Sequence, residues 1–512
     1  MSTIQYHPTK DAVLSKLHQK RSKCKAEREV LAHRMEELDQ ELSQIEAECA
    51  AVHNACIPLL MLPMEITCII FHFALGYHTR RHREPYFEVI ASHVCRRWRS
   101  ISLTYPRLWA SFCHAEDSHH SPDRLDAYLD RSGPLGLELC LNFRKTCLDD
   151  QLVLLEKTLN HAERWKFFTV FGTGEEFLIK IPSKIKAVYV PNLKHFTFSC
   201  EAPRHSDEDL NLPVNGLIPT IFRNGAPKLQ SVTFDCSSVA CLPSLSNVTT
   251  LRLEYQHAGK AYRFPWATFL LILTLPSLVN LSLVGDVFRG PHPLPPDLIA
   301  MNNLVHLRCS YYGDLPPMLH LLRAPLLQTL IIHNDWFGSP PEASANPYVF
   351  PSLRSVAFIN TKFDSFQSAW YFAQLTELAA EVLISAENNI NTVFWALQRS
   401  VESSNRIYWS KVKRITCNLG SFGSWDDVVP YLHFARARPK NDLVIRIFES
   451  LDQRWRQKPT PEYAALKEAC TIELMDAEDN PFAEPWPPGE RNLGSLHDNC
   501  DPFKVDPYQI RT

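Results

Sequence analysis

Between residues 10 and 56 apolar side chains return every seven positions. Leu17, Cys24, Leu31, Leu38, Ile45 and Val52 form one seam, and Leu14, Met35, Leu42 and Cys49 the second. No Gly or Pro interrupts before Pro58, so the spacing predicts a coiled-coil helix of about five heptads. Arg21 and Arg28 fall in the second seam. The first half is basic (Lys10, Lys16, Lys20, Lys23, Lys25) and the second acidic (Glu36, Glu37, Asp39, Glu41, Glu46, Glu48). A parallel pair sets like charge on like, whereas an antiparallel homodimer through 10–56 sets basic halves on acidic ones. A lone solvated helix, or one folded back on its own domain, fits the same residues.

From 57 to 115 the period shortens to that of short amphipathic helices. Pro63 suits a first helical position, and Ile66, Ile69, Ile70, Phe73 and Ala74 follow on one stripe to Gly76, an expected C-cap. Gly76 to Pro85 reads as a basic loop. Its His78 and His82 lack a third ligand, so no metal site is expected. A second helix is expected over Phe87 to Ile101, with Ile90, Val94, Trp98 and Ile101 on one face and Arg96, Arg97 and Arg99 on the others. Pro106 starts a last turn carrying Leu108, Trp109 and Phe112. So small a unit does not bury a core alone and calls for a partner.

The span 116–455 repeats a motif: apolar, two variable, apolar, one variable, apolar. Copies are Leu193-Phe196-Phe198, Leu229-Val232-Phe234, Val248-Leu251-Leu253, Leu278-Leu281-Leu283, Leu304-Leu307-Cys309, Leu327-Leu330-Ile332, Leu353-Val356-Phe358 and Val412-Ile415-Cys417, with an earlier one at Trp165-Phe168-Val170. The central spacings of 30, 26, 23 and 26 residues predict a leucine-rich-repeat solenoid, an α/β fold. The 59 residues before Val412 call for a degenerate copy near Leu375-Leu378. In such an array the motif residues point to the core and the interleaved ones line the concave face. His195, Thr197, Asp235, Arg252, Glu254, His306, Arg308, His333 and Arg414 are therefore the candidate substrate-binding residues. Their mixed, small and polar character suits a protein surface better than a phosphate backbone. Leu443, Ile445 and Ile447 form one last strand, Tyr463 to Met475 a capping helix, and the acidic, Pro-rich remainder of 456–512 a disordered tail.

Composition narrows the chemistry. The net charge of −3 gives no global basic field for nucleic acid or an anionic membrane. The 15 cysteines are scattered without a CxxC pair, which predicts reduced thiols in a cytoplasmic or nuclear setting. The first residues show no signal-peptide pattern, and the longest apolar run, Phe269 to Leu275, is too short to span a bilayer. GxGxxG, P-loop, HExxH and GxSxG motifs are all missing, so neither catalytic residues nor a cofactor are expected.

The order Leu62-Pro63-x-Glu65-Ile66, Ile70-Phe71, Val94-Cys95-Arg96-Arg97-Trp98 and Pro106-x-Leu108-Trp109 resembles the F-box. Together with the repeats behind it, the chain is similar to fungal (basidiomycete-type) F-box-like proteins. The resemblance implies a three-helix F-box at 57–115 that docks on the Skp-type linker subunit of an SCF (cullin-RING) ubiquitin ligase. By similarity the linker contacts are Leu62, Pro63, Ile66, Ile70, Val94, Cys95, Trp98 and Trp109. The implied role is substrate receptor rather than enzyme. A scaffold that binds the linker outside any ligase is a second reading, and an enzyme in the irregular 360–410 region a third.

Overall fold

The computed structural model describes residues 8–79, 86–114, 122–201, 217–235, 241–255, 264–289, 299–310, 319, 321–333, 336–337, 349–386, 394, 397, 407–419, 428–476, 481 and 486–488, apart from a few positions within them. It has two compact units. The first is residues 1–76 with 87–104, and the second is 77–86 with 105–512. Among the described residues no helix is long and apolar enough to cross a membrane.

The first unit begins with α1, Pro8–Ala55, unbroken over 48 residues, about 72 Å at 1.5 Å per residue. Its seam stays uncovered, with Leu17, Leu31, Leu42 and Ile45 all 56–60% exposed. After a single turn, α2 (Pro58–Met61), comes α3, Met64–Thr79. α3 runs through Gly76 instead of stopping there, and residues 80–85, including His82, lie outside the described set. The expected second helix is two: α4, Phe87–Val94, and α5, Arg96–Thr104. They break at Cys95, whose thiol accepts the Trp98 N–H at 3.4 Å, as an N-cap does.

The second unit is built on a 14-stranded sheet whose strands neighbour one another in chain order. They are β1 (Ser111–His114), β2 (Leu137–Asn142), β3 (Trp165–Thr173), β4 (His195–Glu201), β5 (Ser231–Phe234), β6 (Thr250–Tyr255), β7 (Asn280–Gly285), β8 (His306–Ser310), β9 (Thr329–His333), β10 (Ser355–Ile359), β11 (Glu381–Ala386), β12 (Arg414–Leu419), β13 (Val444–Phe448) and β14 (Thr471–Met475). Every pairing is parallel. The strands start earlier and end later than the repeat pattern suggests. Ser111–His114 already belongs to the sheet, and Leu443–Ile447 is not its last strand. The helix at 461 stops at Ala469, and Thr471–Met475 pairs with β13 as β14.

Each copy enters its strand the same way. The first motif residue donates its N–H to the carbonyl three residues back: Leu193 to Val190, Leu229 to Ala226, Leu278 to Leu275, Leu304 to Met301 and Leu353 to Phe350. That closes a turn and drops the side chain into the core, where these five are at most 3% exposed. The residue just before it ties the turn to the previous copy. Asn192 donates to Glu163 O at 2.8 Å, Asn303 to Pro276 O at 2.7 Å and Ser352 to Pro325 O at 2.7 Å. The degenerate copy is Ala379-Val382-Ile384 rather than one at Leu375-Leu378. Ala379 makes the same turn bond, to Thr376, and is fully buried.

The two roles of neighbouring residues separate energetically. Leu304→Ala should cost about 2–5 kcal/mol through the cavity it leaves. Asn303→Ala, at an exposed site, should cost about 1 kcal/mol for one hydrogen bond. Urea unfolding of both variants checks the ratio.

Candidate functional site

Two surfaces collect the candidate residues, one in each unit. In the first unit the core side of α3 is Thr67 and Phe71, 3% and 0% exposed. Phe71 meets Trp98 edge-to-face at 5.0 Å and Phe87 at 5.7 Å. The predicted stripe does not face this core. Ile66, Ile69 and Phe73, at i, i+3 and i+7, are 42%, 51% and 75% exposed. Met61, Met64 and Leu59 add to them at 70%, 52% and 45%.

The eight F-box-like positions separate accordingly. Pro63, Ile66 and Val94 are exposed, and Leu62, Ile70, Cys95 and Trp98 half-buried. Trp109 is set apart. It lies in the second unit, 2% exposed, its ring edge-on to Tyr128 at 5.0 Å and under the Arg131 guanidinium at 4.4 Å. Buried in that packing, it offers no surface to a partner. The arginines are not simply a solvated face. Arg97 donates to Leu62 O at 2.7 Å and fixes the carbonyl at the end of α2, and Arg99 reaches Ser92 O at 3.4 Å. Ile69 and Phe73 extend the exposed stripe from Ile66. Their i, i+3, i+7 spacing is visible in sequence, but spacing alone does not tell an inward stripe from an outward one.

In the second unit the strand register brings eight of the nine second-face candidates to the side of the sheet opposite its core, and Asp235 lies just past the end of β5. Chained pairings put Thr197, Arg252, Ser282, Arg308, Ile331, Ala357, Leu383 and Thr416 in one row. His195, His306 and Arg414 lie in the row on one side, and Glu254 and His333 in the row on the other. They do not form one site. His195 on β4 and Arg414 on β12 are eight strands apart, about 38 Å at ~4.8 Å per strand. Each has a local partner: His195 stacks on Phe167 at 4.4 Å, and Arg414 approaches Glu381 at 3.6 Å. Asp235 accepts from the Ser199 hydroxyl at 2.5 Å and the Cys200 N–H at 2.8 Å.

The centre is where side chains converge. One oxygen of Glu254 accepts from Arg252 Nε at 2.8 Å, an Arg308 terminal nitrogen at 3.0 Å and Ser282 Oγ at 3.4 Å. Arg308 Nε also donates to Ser282 Oγ at 2.8 Å. Beside them Ser310 Oγ lies 3.1 Å from His333 Nδ1. Arg308 and His333, expected on an open groove, are 1% and 7% exposed. The cover on Arg308 is Trp486, whose ring centre lies 4.4 Å from the guanidinium carbon and which is itself 5% exposed. That indole belongs to the stretch read as a disordered tail; its one sequence signal is a tryptophan set among prolines.

Burial pushes the Cys417 thiol up to about 12 and Cys470 to about 11. Such thiols stay protonated and are poor nucleophiles. Among the described residues no group of three or more His, Cys, Asp or Glu is placed to hold a metal ion. Within the 360–410 region, residues 387–406 lie mostly outside the described residues. In comparisons with known proteins, no family model and no curated sequence matches the chain.

His195 carries a pH prediction. Burial first, and Lys194 second, push its imidazole down to about 4, below the ~6.5 of an unfolded histidine. Between those values the unfolded chain takes up a proton that the folded chain refuses. Stability present above pH ~6.5 is therefore lost as pH falls toward 4. His195→Gln should flatten that acid limb, measured as urea midpoints at pH 7 and pH 4.5.

Proposed function

We propose that this chain is a substrate receptor of an SCF-type cullin-RING ubiquitin ligase. On this reading α3 to α5 act as an F-box that docks on a Skp-type linker, and the parallel sheet is a leucine-rich-repeat solenoid whose concave face takes the protein to be modified. The observation that carries it is the Ile66, Ile69 and Phe73 stripe, exposed on a helix whose opposite side already packs on Trp98. An uncovered apolar helix face in a small unit calls for a partner with a matching groove. Leu62, Pro63 and Val94 keep exposed or half-buried surface in the same unit, and Trp98 packs on Phe71 of α3. The role is proximity: holding a substrate lysine near the transfer enzyme raises its effective concentration.

Phe73→Asp puts a charge on the stripe without touching the Phe71–Trp98 core. It should lower recovery of a Skp-type linker at least tenfold in a pull-down while leaving the melting temperature unchanged. Unchanged recovery overturns the docking assignment. Cullin recovered together with the linker supports the ligase reading, and linker without cullin the scaffold.

The scaffold reading draws on the exposed seam of α1. If that seam pairs two copies antiparallel, as its charge halves favour, Cys24 faces the far half of the partner helix. Mild oxidation of a light-scattering dimer should then give no Cys24–Cys24 disulfide. A parallel dimer sets the two Cys24 thiols side by side and gives that product.

A further inference from the structure

The strand face carries an occupant of its own. Arg308 stands in the middle of the central row, held by Ser282 and Glu254, with its guanidinium carbon 4.4 Å from the centre of the Trp486 ring. Pro487, which follows, is buried as well. The next residues of the row, Ile331, Ala357 and Leu383, cluster with Ile359 as an apolar patch on this face, away from the main core. A flat cation beside an apolar patch is a platform for an aromatic ring. A neighbouring proline donates no N–H and cannot extend the strand ladder, so recognition falls to the ring and the pyrrolidine surface.

The occupant is built to leave. β14, the last strand, ends at Met475, so Trp486 takes no part in the ladder and its release breaks no strand pairing. Its fit is also incomplete. Among the described residues the buried indole Nε1 has no hydrogen-bond partner, which weakens this occupant against one whose donor is met.

We propose that the face around Arg308 is a receptor site for a tryptophan–proline segment, filled in the isolated chain by Trp486-Pro487 and opened to a partner protein that presents the same chemistry. The partner half of this rests on reading the strand face as the cargo surface. The site itself rests only on the contacts above. The self-ligand acts as a competitor tethered by about ten residues, at an effective concentration of order millimolar. Against a free segment that binds at about 100 µM it weakens the apparent affinity about tenfold.

The probe is a fluorescein-labelled peptide with the sequence of residues 481–491, titrated by anisotropy into the full chain. The Trp486→Ala chain should bind it about tenfold more tightly than the natural chain. A peptide with alanine for its tryptophan should not bind, and Arg308→Lys in the Trp486→Ala background should weaken binding at least tenfold. Equal affinity for the natural and Trp486→Ala chains, or no binding to the latter, overturns the site. Should Arg308→Lys lower the melting temperature, the alanine peptide still decides, because there the protein is unchanged. Linker capture by the same Trp486→Ala chain, measured in parallel, reads the ligase assignment separately. Loss of linker with the peptide bound removes the ligase role and keeps the site.

Discussion

A parallel strand cannot be closed by a tight hairpin; its neighbour arrives only after a long crossover. The whole second unit depends on meeting that constraint thirteen times in succession, once between each pair of its fourteen strands. Each copy must land its strand in register with the one before, some two dozen residues earlier. The device is local: a turn closed by the N–H of Leu193, Leu229, Leu278 or Leu304, the same residue buried beneath it, and an Asn or Ser reaching back one copy. Register follows from these anchors, and both faces follow from register. One slip by a residue would exchange the Leu330 and Ile332 face for the Ile331 and His333 face.

This explains which features could be read from the chain. The anchors are local and apolar, so their spacing located β4 to β10 and β12. Where an anchor shrinks to Ala379, the pattern fails although the turn bond persists. β14 was obscured because its alternation is weak: Leu474 is 51% exposed, as suits an outermost strand, and only Met475 is buried. β1 was obscured because Trp109 and Phe112 look like the end of a helical unit; their packing on Tyr128 is non-local. Alternation also placed eight of the nine second-face candidates on one side. It could not tell which of them converge, because that depends on which strands are neighbours and on a tryptophan many residues downstream.

The helical unit shows the opposite balance. Its elements are short and its period is clear, but the period alone did not say which side of α3 is core. A stripe of Ile66, Ile69 and Phe73 reads as core in any globular domain. Here Phe71 does that work, with Trp98 and Phe87 closing on it. The arginines around Trp98 look like a solvated cluster, but Arg97 is spent on the Leu62 carbonyl. Such a unit keeps an apolar face uncovered and orders the backbone beside it; on the proposed reading that face is preformed for a partner.

Stability alone does not account for the polar centre of the sheet. Arg308 is 1% exposed and its ion-pair partner Glu254 10%, and removing two charges from water costs more than most such pairs return. Elsewhere on the same face Ala357, Ile359 and Leu383 show that apolar residues are accepted there. A leucine at 308 would fit that surroundings without the desolvation. What the guanidinium supplies instead is a flat, fixed cation at the middle of the row, held from below by Ser282 and Glu254 and presented upward to a ring. The electrostatic cost is concentrated where an aromatic group sits, and the rest of the face is left small or apolar. That distribution belongs to recognition rather than to the folding of the sheet.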